Sequence, residues 1–441
     1  MTFLINIGLN IVFILFTGFW FLRFFTEMGL SGKCRIGRFV SCTTNYKGEH
    51  LTKKDICQVL LFAFMIRLLV YFASIFIAII QSDFSSQASA FSLSDFFQLW
   101  NKSDAGHYLD LAEKGYAGCV EVPEWSGQEE HLFLVFFPLY PWLIRLFHCF
   151  IPNYAASALV VSTISFCIGC VFFYGTIKEE YGTSIAEKSL ILLLLYPFSF
   201  FFGGIMTESL FFCLISAGFF YIHRHNWPVV GLIGILASLC RIQGVILLGV
   251  GMVEFLVVYQ PIRRFRERQF QSFLRHFFTE AAYLFLIPLG SLLYLGLNYQ
   301  VSGNALQFTI YQKNHWYHTT TWFTNCIAEI CRYLSGQTDA SSLFIWYPEL
   351  FLFVVTVLLL LYSLRTQPLK YSAYLLVYTL INYSVTFLIS GGRYMLNALP
   401  LFFFVAAWTD KHKWLYKFLC FVLMLLHGIF FAAFLNGNAI Y

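Results

Sequence analysis

Apolar runs of about 20 residues recur along the whole of this chain. That length lets a helix cross the roughly 30 Å hydrocarbon core of a bilayer, because each helical residue rises about 1.5 Å. Only 12% of the 441 residues are charged, whereas 59% are hydrophobic and 20% are aromatic. A soluble chain carries roughly 25% charged residues. The sequence therefore predicts an all-α polytopic membrane protein and excludes a soluble enzyme, a disordered chain and a nucleic-acid binder.

The hydropathy pattern predicts about 12 transmembrane helices. We place them at roughly 3–22, 57–80, 157–176, 189–203, 208–222, 228–241, 243–259, 279–298, 346–364, 371–389, 394–409 and 415–435. The first run lacks the basic segment and the cleavage site of a signal peptide, so we expect it to be retained. Because there is no internal repeat or linker, we expect a single transmembrane domain over residues 1–441.

Lysine and arginine predict the orientation, because they stay on the cytoplasmic side. Two basic segments, about 23–56 and 260–278, are placed in the cytoplasm. Alternation of the loops then puts 20 of the 28 Lys and Arg residues inside and 6 outside. Both termini and two large loops, about 82–156 and 299–345, face outward. We expect these two loops to form an external catalytic cap.

Cysteine gives weaker signals. Cys167 and Cys170 form a CxxC inside an expected helix. No histidine or second cysteine pair accompanies them, so packing is the favoured interpretation. Cys326 and Cys331 fall in the second outer loop, where the sequence leaves a disulfide open.

The first outer loop contains the segment NKSDAGHYLDLAEKGY, residues 101–116. Its apolar spacing predicts a short amphipathic helix on the membrane surface. Asp104 precedes that helix at a position suited to capping its N-terminus. His107 follows three residues later and is able to face the same place. Capping and catalysis are both open for Asp104, and His107 is open between a structural hydrogen bond and a site role.

This segment resembles the first lumenal loop of the PIG-V family, which comprises GPI mannosyltransferase II and its prokaryotic relatives. The family pattern is approximately Trp-Asp-x-x-His/Trp-Tyr/Phe followed by Gly-Tyr. The matching residues are Asp104, His107, Tyr108, Gly115 and Tyr116. Ser103 stands where the family has tryptophan, and Trp100 is a partial substitute three residues earlier.

Further elements resemble the same family in order. They are FFPLYP (Phe136–Pro141), YPFSFFFGGIMTESLFF (Tyr196–Phe212), LCRIQG (Leu239–Gly244) and SGGRYMLNALPLF (Ser390–Phe402). The resemblance implies a GT-C fold with interfacial helices in the first outer loop. It also implies transfer of a hexose, mannose in the family, from a polyprenyl- or dolichyl-phosphate donor. The acceptor is a hydroxyl of a glycan, glycolipid or protein on the extracytoplasmic face of a bacterial plasma membrane or the endoplasmic reticulum.

Such a reaction needs a base for the acceptor hydroxyl and a cation for the departing lipid phosphate. We expect Asp104 to be the base, with inversion at the anomeric carbon. Arg393 is the expected phosphate ligand, because its fork binds two oxygens at once, and Arg241 is a second one. His107 is expected at the phosphate or the sugar. For each arginine, a membrane-interface anchor is the alternative.

Sugar or acceptor contacts are expected from Glu208, Tyr108, Gln312 and Trp316. Gln312 and Trp316 belong to the aromatic segment QKNHWYH, in which rings are able to stack on a pyranose. An interfacial aromatic belt is the alternative for that segment. Gly391 and Gly392 would let the backbone approach a ligand.

We expect no obligatory metal and no cofactor, because the chain has no DxD pair for a nucleotide-sugar. The acids Glu121, Glu124, Glu129 and Glu130 fit a solvated loop better than a cation site. Two other functions stay open: a transporter or flippase for a lipid-linked molecule, and a non-catalytic subunit of a glycosylation complex. The candidate groups cluster at one face and there is no repeat, which favours the enzyme over transport.

Overall fold

A computed structural model describes residues 2–30, 46–84, 91–122, 130–336, 342–438 and 440. Within these ranges the chain is helical, apart from loops and two isolated antiparallel bridges, Glu121 with Glu130 and Thr320 with Val385. The prediction of an all-α protein is confirmed.

The helices follow the chain order. They are α1 (Thr2–Glu27), α2 (Lys53–Phe84), α3 (Leu93–Trp100), α4 (Ala105–Lys114), α5 (Leu139–His148), α6 (Tyr154–Tyr181), α7 (Thr183–Leu195), α8 (Glu208–His223), α9 (Trp227–Cys240), α10 (Ile246–Tyr259), α11 (Pro261–Arg266), α12 (Phe270–Thr279), α13 (Leu289–Ser302), α14 (Gln307–His315), α15 (Phe323–Gly336), α16 (Tyr347–Thr366), α17 (Leu369–Tyr383), α18 (Gly391–Tyr394), α19 (Pro400–Thr409) and α20 (Lys413–Leu435). Short 3-10 turns cover Leu132–Val135, Ser199–Gly203, Ile242–Val245, Ala281–Leu286 and Met395–Asn397, and a π-helical turn covers Ser342–Trp346.

Among the described residues, seven helical stretches are long and apolar enough to cross a membrane. They are Ile5–Glu27, Lys53–Ile80, Tyr154–Tyr181, Ile242–Arg266, Phe270–Ser302, Ser342–Thr366 and Lys413–Leu435. The protein is therefore an integral membrane protein. Helix α6 is the central one, since 61% of its apolar window is buried against 11% for α1. It packs closely on α8 where Gly169 leaves room for the ring of Phe212.

The remaining apolar runs form short helices, of which α8 and α9 have the expected length and α7, α17 and α19 are shorter than expected. Helices α7, α8, α9, α17 and α19 have 10 to 16 residues, which is at most about 24 Å of helix. The helix expected at 371–389 ends at Tyr383, because the chain then turns to pair with the second outer loop. The one expected at 394–409 starts with two short turns and becomes a regular helix at Pro400.

Loops that the charge pattern assigns to the same side of the membrane contact each other in the structure. At one end, which we call the basic end, Arg23 donates to the carbonyl of Leu364 at 2.9 Å and Lys188 pairs with Asp410 at 2.5 Å. At the opposite end, Lys102 donates to the carbonyl of Leu435 at 2.6 Å. This grouping is the one that alternating loops require.

The described parts of the two large loops that were expected outside contain helices. Helix α4 forms where the amphipathic pattern predicts it, with Ala105, Tyr108, Leu111 and Ala112 buried on one face. Arg145 of α5 donates to the carbonyl of Ala112 at 2.6 Å and satisfies the end of α4. The second loop contains α14 and α15.

The cysteines named above are all free thiols. Cys326 and Cys331 lie on α15 without a disulfide between them. Cys167 and Cys170 are buried in α6, as packing predicts. Of the four loop acids, Glu124 and Glu129 lie outside the described residues, and Glu121 pairs with Glu130 through the backbone bridge.

Candidate active site

A polar cavity of about 270 Å³ opens between the outer loops and the helix ends beneath them. Its walls come from segments far apart in the sequence. The lining residues are Ser103, Asp104, Tyr108, Val135, Phe136, Phe137, Cys240, Arg241, Ile242, Gln243, Gln312, Trp316, His318, Phe387, Ile389, Ser390, Arg393 and Tyr394. Six of the eight site residues expected from the sequence are therefore at one cavity, and Glu208 and His107 are not in its wall.

Asp104 stands at the N-terminus of α4 but does not cap it. Its side chain makes no hydrogen bond to the helix amides. The carboxylate instead lies 3.0 Å from Nη2 of Arg393. Ser103, just before it, has a φ of +53°, a left-handed conformation that side chains other than glycine seldom adopt. The capping interpretation of Asp104 does not describe this structure.

Arg393 is almost fully buried, with 5% of its surface exposed. Nε lies 3.3 Å from Oε1 of Glu208, and Nη1 lies 3.3 Å from Sδ of Met206. Gly392 makes room for Phe198, because an added Cβ would lie 2.2 Å from that ring. We expected Gly392 to let a ligand approach the backbone, but in the structure it is needed for packing against Phe198.

Glu208 has no exposed surface and lies behind the two arginines. Its Oε1 also accepts from Nη2 of Arg241 at 2.5 Å. Nε of Arg241 donates to Oγ1 of Thr207, next to Glu208 in the chain, at 2.6 Å. Glu208 therefore holds the guanidinium groups in place, and the structure does not bring it to a sugar in the cavity.

Arg241 reaches the cavity because a helix breaks there. Helix α9 ends at Cys240, and Arg241 is extended with φ −154° and ψ 149°. The chain then turns sharply back, since Gly244 packs against the backbone of Ala237, where an added Cβ would lie 2.2 Å from the carbonyl carbon. The Arg-x-x-Gly element thus has a physical basis: the glycine permits the turn that presents the arginine.

The charges of the cluster balance. Asp104 and Glu208 contribute two negative charges, and Arg241 and Arg393 contribute two positive ones. The ring of Tyr394 lies 5.8 Å from the guanidinium of Arg241 and 5.4 Å from that of Arg393, which gives both cations an aromatic face. An anion that entered the cavity would compete with the two carboxylates for these guanidinium groups.

His107 does not line the cavity. Its ring packs against those of Phe133 and Phe136 at centroid distances of 4.5 and 5.3 Å. The contact with the phosphate or the sugar that was expected for His107 finds no support in this placement, because α4 presents Tyr108 to the cavity instead. Burial raises the pKa of Tyr108 above its usual range, so its phenol is a hydrogen-bond donor.

The second outer loop closes the cavity from above with Gln312, Trp316 and His318. The bridge between Thr320 and Val385 fixes this loop beside the segment that leads to Arg393. Burial lowers the pKa of His318, which keeps its imidazole neutral at pH 7. The aromatic segment is thus part of the cavity wall and not merely an interfacial belt.

Glu349 is a residue that our sequence argument missed. It is 1% exposed, and its Oε1 accepts from the amide of Gly391 at 2.9 Å. This bond fixes the turn that carries Arg393. An acid within the apolar run WYPELFLF was the signal in the sequence, because a charge there is costly unless it has a role.

Trp100, the partial substitute for the family's tryptophan, packs on Tyr71 at a ring distance of 5.2 Å. It does not line the cavity.

An apolar groove of about 710 Å³ runs beside the cavity, between α1, α10 and α17. Trp20, Phe24 and Val253 are among its lining residues. Ile242 lines both the groove and the polar cavity. The charged cluster therefore adjoins an apolar channel at the residue next to Arg241.

The sequence and the structure were compared with those of known proteins. No family model and no curated protein matches the sequence, so the PIG-V resemblance stays a prediction. The chain is similar to the crystal structure of ArnT from Cupriavidus metallidurans bound to undecaprenyl phosphate, with a TM-score of 0.48 and 14% identity. The match covers 80% of this chain and 60% of that one.

Proposed function

We propose that this protein is a membrane glycosyltransferase that takes a hexose from a polyprenyl-phosphate or dolichyl-phosphate donor. The sugar passes to an acceptor hydroxyl in the cavity lined by Asp104 and Arg393. One observation carries the proposal: a cavity with two guanidinium groups and a carboxylate adjoins an apolar groove at Ile242. A phosphate head with a long isoprenoid tail has the same division into a charged end and an apolar end.

In the proposed reaction the acceptor oxygen attacks the anomeric carbon while Asp104 takes the hydroxyl proton. The bond from the anomeric carbon to the phosphate oxygen breaks, and the lipid monophosphate leaves with that electron pair. The departing phosphate gains negative charge, and Arg393 and Arg241 stabilise it. Attack from the face opposite the phosphate gives inversion. Retained anomeric configuration in the product would contradict this step.

The proposed sugar contacts come from α4 and from the second large loop. Trp316 offers a ring face to the C–H groups of a pyranose, while Gln312 and Tyr108 offer hydrogen bonds. Mannose is the sugar that the PIG-V resemblance implies, and the GT-C fold and an extracytoplasmic site come from the same resemblance. The acceptor is a glycan, glycolipid or protein hydroxyl.

We propose further that transfer needs no metal. The guanidinium groups of Arg241 and Arg393 both line the cavity, and they supply the positive charge that a metal would otherwise bring to the departing phosphate. Transfer measured with and without EDTA checks this proposal: equal rates are expected, and loss of transfer that added Mg²⁺ or Mn²⁺ restores would contradict it.

The proposed function is tested with purified protein in nanodiscs and polyprenyl-phosphate mannose labelled in the sugar. We expect label to pass to an acceptor and polyprenyl monophosphate to be released. An Ile242→Trp variant should slow transfer from a long-chain donor more than from a short-chain one. The control Leu236→Trp adds the same bulk to an exposed residue of α9 outside the groove. Binding without transfer by the wild type would favour a transporter or a non-catalytic subunit.

A further inference from the structure

The two carboxylates of the cluster are not equivalent. Glu208 is fully buried and serves two arginines through one oxygen, Oε1. The side chain of Asp104 is 31% exposed, lines the cavity and pairs with Arg393. Removing Glu208 from its partners would leave a charge stranded in the interior, whereas Asp104 is able to turn toward the cavity. Asp104 is therefore the partner that Arg393 can exchange.

Each nitrogen of the Arg393 guanidinium has a polar neighbour, although Nε makes no hydrogen bond among the described residues. Asp104 holds Nη2, Met206 lies at Nη1 and Glu208 faces Nε. Bidentate binding of a phosphate needs two N–H groups that point the same way. Nη2 is the group that lies beside the cavity acid, so a phosphate at Arg393 and the carboxylate of Asp104 compete for it.

We propose that the donor phosphate displaces Asp104 from Arg393, so that the event that seats the donor also releases the base. This inference rests on the proposed function and adds an order of events to it. Before the donor arrives, Arg393 neutralises Asp104 and the cluster has no net charge. After it arrives, the phosphate takes the guanidinium and Asp104 is free for the acceptor hydroxyl. The proton that Asp104 then accepts keeps it from reclaiming Arg393 until the product leaves.

Competition of this kind predicts that removal of the Asp104 carboxylate strengthens the binding of polyprenyl monophosphate. Removal of a residue that only supports the site would weaken that binding. Asp104→Asn should bind a polyprenyl monophosphate more tightly than the wild type, because the amide no longer holds Nη2 as an ion pair. Coupling between sites is typically about 5- to 150-fold in affinity, and we expect the tightening to lie in that range. Asp104→Glu keeps the carboxylate and should bind as the wild type does.

The experiment measures the Kd of polyprenyl monophosphate in nanodiscs for these variants and for Asp104→Ser, a second neutral substitution. The matched control is Asp110→Asn on the same helix, an exposed acid paired with Lys114, which should leave the Kd unchanged. In an Arg393→Gln background, Asp104→Asn should no longer tighten binding, because the contested guanidinium is gone. The melting temperature of each variant shows that it is folded.

The outcomes separate the inference from the proposed function. If the wild type binds and transfers but both neutral variants bind equally or more weakly, the exchange is wrong and the enzyme proposal stands. Should tightening persist in the Arg393→Gln background, the exchange is wrong as well. If the wild type binds no polyprenyl monophosphate and transfers no sugar, the proposed function fails and the exchange fails with it.

Discussion

Buried ion clusters lie at both ends of this molecule, and they differ in how their groups are satisfied. At the basic end, Lys370 lies 3.0 Å from both Glu180 and Glu254. His223 adds a contact to Glu180 at 2.9 Å, and His225 adds one to Glu254 at 3.2 Å. These groups come from α6, α8, α10, α17 and the turn after α8, so the cluster ties those elements together.

At the cavity end the ionic contacts are less complete. Oε2 of Glu208 has no hydrogen-bond partner among the described residues. The carboxylate of Asp104 and the guanidinium groups of Arg241 and Arg393 line a cavity of about 270 Å³. Buried charges are costly unless they are paired. In a closed network such as that of Lys370, removal of one member leaves its partners uncompensated, whereas a network open to a cavity is suited to a charged ligand.

The largest difference is expected when the exposed acid of the cavity loses its charge. Asp104→Asn should lower kcat by about 10²- to 10⁴-fold, the usual contribution of a general base, while the melting temperature stays near that of the wild type. Sugar transfer and thermal unfolding are measured on the same preparation. Loss of folding in this variant, with Asp110→Asn intact, would show that Asp104 is structural like the acids of the basic end.

The opposite pattern is expected at the basic end. Lys370→Gln removes the buried cation shared by two partly buried acids, which should cost about 3 kcal/mol of unfolding free energy, the low end for breaking a buried ion pair. Transfer per folded molecule and the KM for the donor should not change. Chemical denaturation gives the free energy, and Lys417→Gln, an exposed lysine of α20 at the same end, is the control. A changed donor KM would break the division between the two clusters.

Arg393→Lys tests whether phosphate binding depends on the forked guanidinium group of Arg393 or only on its positive charge. Lysine keeps the charge and loses the fork, so we expect a loss of about 1.5–3 kcal/mol, one charged hydrogen bond, in donor binding. The KM for the donor measures it. Arg332→Lys, on an exposed pair with Glu329 in α15, should be neutral. Unchanged donor kinetics in the Arg393 variant would remove this residue from the site.

The smallest effect is expected for Trp316, in the part of the cavity wall that the second large loop contributes. Trp316→Ala removes one ring face, which should cost about 0.5–1.5 kcal/mol in acceptor or sugar binding, seen as a rise in KM. Trp322→Ala in the same outer loop, where the indole donates to Asn10 at 2.7 Å, should leave KM unchanged. An equal effect of both substitutions on KM would instead support the interpretation of the aromatic segment as a membrane-interface belt.

Hydropathy and charge were sufficient to predict the helical fold and the convergence of Asp104, Glu208, Arg241 and Arg393 at one end. Both depend on local composition and on the alternation of loops. Local composition and the alternation of loops do not predict which distant side chains contact each other. The order of acids around the arginines, with Glu208 behind and Asp104 in front, depends on how α8 packs against the loops. The same holds for Glu349, whose target amide is 42 positions away.

Other features depend on local geometry that the sequence pattern does not determine. One residue separates a helix that presents His107 from one that presents Tyr108, and hydrophobic spacing does not resolve that rotation. The end of α17 at Tyr383 depends on pairing with the second outer loop. The role of Gly392 depends on the position of the Phe198 ring.

We propose that a lipid phosphate binds at the cavity end of the molecule and not at the basic end. A density map of the protein in nanodiscs with polyprenyl monophosphate bound tests it most directly. We predict phosphate oxygens within hydrogen-bond distance of Arg393 and Arg241, the tail passing Ile242 into the apolar groove, and Asp104 turned away from Arg393. Phosphate density at Lys370, or at the arginines of α11, with the Asp104–Arg393 contact intact would contradict the account.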